Sequence, residues 1–355
     1  MVTEVIQGDA RSMPFLDDDS VDLIVTSPPY WGLRSYRDAG EHYDGQVGSE
    51  DTPRQFVAEL VAMIDSEWRR VLKPVGNLWL NLGDKYAGGG GFSPASPINL
   101  ERVRTGAKAQ NNAKRNNISK DDSGKRALSL VSAKSLMGLP WRVALQLIDR
   151  GWTLRAEVIW SKPNGLPDPA PDRVQRSHEQ WFHFTLRPRY FSAVDEIREP
   201  HVTVGGETLA DRKARNDPTA HRNIDNNLAR PGPTPKFANS PLGRLPKSVW
   251  TIPTEPLIIP DGVREQLGLV DHFAAFPQEW PRRIIKAFAP EGGVVLDPFG
   301  GTGTTAGVAR TLGRTGISVD LSEDYCNLAR WRIFKSGHFS KTEQRTWADK
   351  QTSLL

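Results

Sequence analysis

Asp297-Pro298-Phe299-Gly300-Gly301-Thr302-Gly303-Thr304-Thr305 stands between a short apolar run, Val294-Val295-Leu296, and a helical pattern from about Thr304 to Leu312. A glycine turn between a strand and a helix brings bare backbone to the carboxyl edge of a sheet, where a ligand approaches closely. The first turn of the helix offers N–H donors to that space. Thr315 to Val319 reads as the next strand, ending at Asp320. An acid about 20 residues past such a turn is placed to accept hydrogen bonds from two ribose hydroxyls. No Gly-Lys-Ser/Thr closes the turn, so a nucleoside site is favoured over a phosphate loop.

Strands and helices alternate outward from this segment. Val2 to Ile6 is a short strand running into Gly8-Asp9, and Val21 to Thr26 is a buried strand stopped by Pro28-Pro29. Thr52 with Pro53 starts a helix, whose apolar face (Phe56, Leu60, Ile64, Val71) carries it to about Lys73. Asn77 to Leu82 is a strand, Pro140 to Arg150 a helix closed by Gly151, and Trp152 to Trp160 a strand. Trp181 to Thr185 and Arg189 to Ser192 read as paired strands around Pro188. Pro277 to Phe288 and Glu323 to Phe334 are helices. Apolar strands without polar alternation call for a mostly parallel α/β sheet covered on both faces.

Two stretches break the pattern. Residues 84–130 form a flexible basic loop, with eight Lys/Arg against three Asp/Glu between Glu101 and Arg126. Residues 165–250 fit the alternation poorly and read as an inserted recognition region, with eight Lys/Arg against two Asp from Arg212 to Lys247. The expected organisation is a catalytic half over 1–164, the insertion over 165–250, a cofactor half over 251–335 and a polar tail over 336–355. Such basic stretches suit a polyanionic partner, whose charges Lys and Arg neutralise. The candidates are Lys114 and Arg115 in the first, and Arg212, Lys213, Arg215 and Arg222 in the second.

The remaining composition narrows the chemistry. Cys326 is the single cysteine, so a disulfide framework and a Cys-based zinc site are excluded, and a reducing cytosol is expected. His178, Glu179 and His183 lack metal-ligand spacing, and no metal is expected. The opening MVTEVIQGDARSMPF has neither the basic nor the apolar region of a signal peptide. No apolar run approaches the roughly 20 residues of a membrane span, so a cytoplasmic protein with no membrane partner is expected.

Ser27-Pro28-Pro29-Tyr30 ends the second strand. Two prolines stiffen the turn and remove two backbone donors, leaving nearby carbonyls free to accept. A base amino group is a fitting guest. Ser27 and a carbonyl accept its hydrogens and favour sp³ nitrogen, which then attacks a methyl sulfonium in line. Tyr30 stacks on a base turned out of its helix. Arg34, Tyr36 and Arg37 follow at once and are candidates to grip the strand around that base.

Ser27-Pro28-Pro29-Tyr30 together with Asp297-Pro298-Phe299-Gly300-Gly301-Thr302-Gly303 resembles the amino-group DNA methyltransferases, the N4-cytosine and N6-adenine enzymes. The catalytic motif preceding the cofactor motif resembles the β group of that family, a circularly reordered methyltransferase chain. The segments Gly8-Asp9, Gly76 to Asp84, Arg155 to Asn164, Ser177 to Trp181, Arg189-Tyr190-Phe191 and His272 to Pro277 also resemble it. The resemblance implies a Rossmann-like methyltransferase fold with a mixed, mostly parallel seven-stranded sheet, and S-adenosyl-L-methionine as cofactor. It places Asp297, Phe299, Gly300, Gly301, Thr302, Gly303 and Thr304 on the methionine side, Asp320 at the ribose, and Asp9, Phe276 and Pro277 around the rest. Ser at the first tetrapeptide position leans toward cytosine N4, where Asp leans toward adenine N6. A partner restriction endonuclease is a family expectation.

Cytosine C5 chemistry needs a thiol nucleophile, and Cys326 sits inside a helix beyond Asp320 as a core residue. Methylation of glutamine amides calls for Asn where Ser27 stands. RNA substrates and a non-catalytic DNA-binding protein remain alternatives, the latter disfavoured by the intact Asp9, Asp297 and Asp320.

Overall fold

In the computed structural model, the described residues are 2–32, 37–38, 41–42, 46–87, 131–132, 134–165, 170–200, 242–267, 275–337 and 339. They divide into two compact units. The first is Met1–Ser192 with Ser248–Leu355, and the second is Ala193–Lys247.

The first unit is built on a sheet whose strands run in chain order as β1 (Glu4–Gln7), β2 (Val21–Thr26), β5 (Leu72–Leu82), β6 (Thr153–Ser161), β7 (His178–Thr185), β8 (Val249–Thr251), β9 (Val294–Asp297) and β10 (Thr315–Asp320). Their spatial order is β1-β10-β9-β2-β5-β7-β6-β8. β1, β10, β9, β2 and β5 are mutually parallel, while β7 runs antiparallel to both β5 and β6. The expected seven strands gain a short eighth, β8, parallel to β6 at the edge. Three residues are too few for periodicity to reveal. A hairpin of β3 (Arg37–Asp38) and β4 (Glu41–His42) forms a separate two-stranded ribbon.

Among the described residues the helices are α1 (Pro53–Met63), α2 (Arg69–Val71), α3 (Leu139–Asp149), α4 (Asp261–Gln266), α5 (Glu279–Phe288), α6 (Thr304–Thr311) and α7 (Glu323–Phe334). Thr52 caps α1 as its sequence predicts, its Oγ1 accepting from the Gln55 N–H at 3.2 Å, with Pro53 in the first turn. The single helix expected to Lys73 is instead interrupted by a π-helical turn, Ile64–Trp68. This wider turn carries the buried Trp68, whose indole N–H donates to the Ala10 carbonyl at 3.0 Å. The paired strand expected over Arg189 to Ser192 is absent. The segment is tied to the sheet by single bonds instead: the Phe191 N–H donates to the Val75 carbonyl, the Phe191 carbonyl accepts from Asn77 Nδ2, and the Tyr190 hydroxyl accepts from Arg155. The pairing partner that β7 takes on each side is β5 and β6, which leaves no edge for a hairpin partner.

Alternation along the strands sorts two cores. Leu78, Leu80, Phe182 and Phe184 pack with Leu60, Val143 and Leu147 of α1 and α3. The intervening Trp79, Trp181 and His183 meet α5. Trp181 stacks on Trp280 at 4.9 Å, and Trp79 stacks on His183 at 4.7 Å beside Phe288. Because β7 is central, residues 178–185 belong to this sheet. The separate unit is narrower than the expected 165–250 insertion.

In the second unit, a 3₁₀ turn (Val194–Ile197) precedes Glu199, which pairs with Arg244 through two backbone bonds and a side-chain ion pair at 2.8 Å. Arg198 donates to the Gly243 carbonyl. Among the described residues, no helix is long and apolar enough to cross a membrane.

Candidate active site

The parallel strands β1, β10, β9 and β2 end on one side of the sheet, and a cleft of about 720 Å³ of empty space opens there. From β9 the chain turns toward β10, and from β2 it turns toward β5, so the cleft sits at a topological switch point. Gly8, Asp9, Ala10 and Arg11 line it from β1, Ser27 and Pro29 from β2, Pro298, Phe299 and Gly301 from β9, and Asp320, Leu321 and Tyr325 from β10 and α7. Gln46 and Val47 complete the wall.

The glycine turn divides its labour. Gly301, at φ +50°, faces the cleft and donates its N–H to Asp320 Oδ2 at 2.9 Å. Gly300 supports it from behind, since a Cβ there would lie 1.9 Å from Ser318 Oγ. A Cβ on Gly303, at φ +76°, would lie 2.9 Å from Ala329 and from Ile333 of α7. Thr302 and Thr304 are buried and accept from Arg332, whose guanidinium also donates to the Thr302 carbonyl at 2.6 Å. Gly300, Thr302, Gly303 and Thr304 are therefore scaffolding behind the cleft. Burial pushes the Arg332 guanidinium down to about 10.

Three acids meet here in different states. Asp297 is buried, and that burial pushes its carboxyl up to about 6 despite hydrogen bonds from Thr305 Oγ1 (2.7 Å) and the Phe299 N–H (3.2 Å). Asp297 anchors the turn to α6 and does not line the cleft. Asp320 does, with one oxygen on the Gly301 N–H and the other on the Ser322 N–H. At Asp9, partial burial pushes the carboxyl up, but the Arg11 guanidinium and backbone N–H outweigh it and hold the acid below its usual range.

Ser27 and Tyr30 converge on a residue that periodicity passes over. Asn81 Oδ1 lies 3.0 Å from Ser27 Oγ and 2.8 Å from the Tyr30 hydroxyl. Tyr30 also reaches Glu179 Oε2 at 2.8 Å, and Glu179 pairs with Lys162. The Tyr30 ring lies over Gly83, where a Cβ would fall 2.3 Å from Cε2. The available signal was Asn77 and Asn81, two amides four apart in an otherwise apolar strand. Asn77 binds the ring of His183, which burial pushes down to about 3. That placement makes His183 a core residue. Asp84 accepts from Gly138 and Leu139 N–H and caps α3.

Phe276 and Pro277 do not line the cleft. Phe276 sets its ring edge against Trp181 at 5.6 Å, just before α5. Cys326 is a buried core thiol, as expected. Arg34, Tyr36, Lys114, Arg115, Arg212, Lys213, Arg215, Arg222 and His272 to Ala274 lie outside the described residues. Arg37 sits in β3. Ala10, Arg11, Gln46, Val47, Leu321 and Tyr325 are lining residues that motif reading did not single out.

The DNA methylase family profile matches residues 21–330. The chain belongs to the DNA methylase family. This methylase is 34% identical over 341 residues to Type II methyltransferase M.SmaI of Serratia marcescens, covering 94% of this chain and 91% of that one. It is 33% identical to Type II methyltransferase M.XycI of Xanthomonas campestris pv. cyanopsidis, over 93% and 87% of the two chains. Its fold is similar to that of PvuII DNA methyltransferase (cytosine-N4-specific), with a TM-score of 0.58 at 17% identity over 94% and 88%. A Thermus thermophilus protein, TTHA0409, solved in complex with S-adenosyl-L-methionine, gives 0.52 at 22% identity over 95% and 94%.

Proposed function

We propose that this DNA methylase transfers a methyl group from S-adenosyl-L-methionine to the N4 amino group of cytosine in double-stranded DNA. The observation that carries the reading is that Ser27 and Pro29 share one cleft with Asp9, Gly301 and Asp320. An amino-group acceptor and a nucleoside-binding set thus face the same space.

The residues fit the cofactor. Asp320 lines the cleft as the acid for the ribose hydroxyls, Asp9 lines it with its carboxyl held below the usual range, and Phe299 and Tyr325 give aromatic walls. When bound, the cofactor supplies an electrophilic methyl on a sulfonium. Ser27 and a carbonyl of the Pro28-Pro29 turn accept the hydrogens of the amino group and aim its lone pair. Tyr30 holds the turned-out base by stacking. So held, the amino nitrogen would face that methyl in line and would give up its proton to water. Orientation supplies much of the rate.

Ser27 at the first tetrapeptide position favours cytosine, and the cytosine-N4-specific name of the PvuII neighbour agrees. The Type II names of the relatives support a place in restriction-modification inside the cell, beside a partner endonuclease. Arg34, Tyr36, Arg37 and the basic stretches around Lys114, Arg115, Arg212, Lys213, Arg215 and Arg222 take the phosphates.

The test is to incubate the protein with methyl-labelled S-adenosyl-L-methionine and mixed duplex DNA, digest to nucleosides and identify the labelled one by mass spectrometry. N4-methylcytosine is expected. N6-methyladenine overturns the base while keeping the reaction, and blank DNA and RNA overturn the reading.

A further inference from the structure

We propose that Asn81 is a positioning residue that makes Ser27 an acceptor for the substrate amino group. The inference rests on the amino-methyl transfer proposed above. Asn81 is 1% exposed near the end of β5. Its Nδ2 donates to the Gln180 carbonyl at 3.1 Å. A backbone carbonyl only accepts, so this bond fixes which end of the amide is which. Oδ1 is thereby turned to Ser27 Oγ, 3.0 Å away, and to the Tyr30 hydroxyl, 2.8 Å away. An amide oxygen has no hydrogen to give. The one hydrogen of Ser27 must point at Asn81, and its lone pairs are left to accept. A base amino group offers hydrogens, so the serine is set in the complementary sense before substrate arrives.

The neighbours hold this arrangement from three strands. Tyr30 shares its hydroxyl between Asn81 and Glu179 of β7. Glu179 is tied to Lys162 just past β6, and the Lys162 ammonium lies 4.1 Å from the Trp160 ring centroid. Asn81 is therefore shared by the acceptor and by the residue proposed to stack on the base.

The discriminating pair is Asn81→Leu against Asn81→Asp. Leu has similar bulk but no acceptor, so Ser27 is free to turn its hydrogen toward the substrate. The kcat of Asn81→Leu falls about tenfold to a hundredfold, the scale of one or two lost hydrogen bonds, with cofactor affinity unchanged by calorimetry. A carboxyl at this position still accepts from Ser27, so Asn81→Asp keeps most of the wild-type kcat although it is the more costly residue to bury. A purely structural asparagine predicts the opposite order. In a background of Ser27→Ala with Tyr30→Phe, which removes both hydroxyls that Asn81 receives and keeps the stacking ring, Asn81→Leu adds no further loss to the residual rate. Should Leu not fold, Asn81→Ala carries the same comparison. Wild-type kcat in Asn81→Leu, a slower Asn81→Asp, or additive losses overturn the inference alone. Full activity in Ser27→Ala overturns the underlying reading as well.

Discussion

The Asp297–Asp320 segment, through Phe299, Gly301 and Asp320, and the Ser27–Tyr30 loop, through Ser27 and Pro29, line two walls of one cleft but are held by different means. The first is held mainly from within itself and by the helix that follows. Asp297 binds Thr305 and Phe299, Asp320 binds Gly301, and Gly300 seats on Ser318. The second borrows its geometry from strands far away in sequence: Asn81 of β5 and Glu179 of β7 fix Ser27 and Tyr30, and Gly83 makes room for the ring. A wall built of near neighbours is specified by a motif. A wall built of distant side chains is specified by the sheet that brings them together.

The comparison is sharpest at the catalytic wall. Ser27→Ala with Tyr30→Ala lowers methyl transfer on the order of 10³-fold or more, as for loss of groups that act on the reacting centre. Cofactor binding measured by calorimetry stays near wild type, and a matching loss of cofactor affinity would break the division between the walls.

A smaller effect is expected at Asp297. Its folded carboxyl is raised from 3.8 to about 6 by burial. A raised acid contributes stability that is complete below the unfolded value and is lost as pH rises through the folded one. Urea titrations at stepped pH therefore show wild-type stability falling between about pH 4 and 6 relative to Asp297→Asn, by at most about 3 kcal/mol. A flat difference between the two proteins across that window rejects the buried acid as its source.

The smallest effect belongs to Asp320. Asp320→Ala weakens cofactor binding by about 2 kcal/mol, roughly thirtyfold, through lost acceptors for the ligand and for the Gly301 N–H. The rate at saturating cofactor changes much less. A large fall in kcat without weaker binding would move Asp320 to the catalytic side of the comparison.

Legibility followed the same division. Val21–Thr26 and the Thr52-Pro53 helix start were readable because apolar runs and caps are local signals. The nucleoside wall was readable from one strand, one turn and one acid. The strand expected over Arg189–Ser192 failed because β7 already has β5 and β6 on its two sides. The eighth strand escaped notice because a three-residue strand acquires its identity from its partner β6.

By itself the sequence determined the α/β class, the methylase family and the two motifs that face the cleft, because strand alternation, glycine turns and proline pairs act over a few residues. Tertiary structure alone decided which motif residues reach the cleft. It set Gly301 and Asp320 at the surface of the site and put Gly300, Thr302, Gly303, Thr304 and Asp297 behind it. It also brought Asn81 and Glu179 to Ser27 and Tyr30, 54 and 149 residues away along the chain. The physical reason is that a buried hydrogen bond between strands depends on sheet order and register, and those are settled only when the whole core packs.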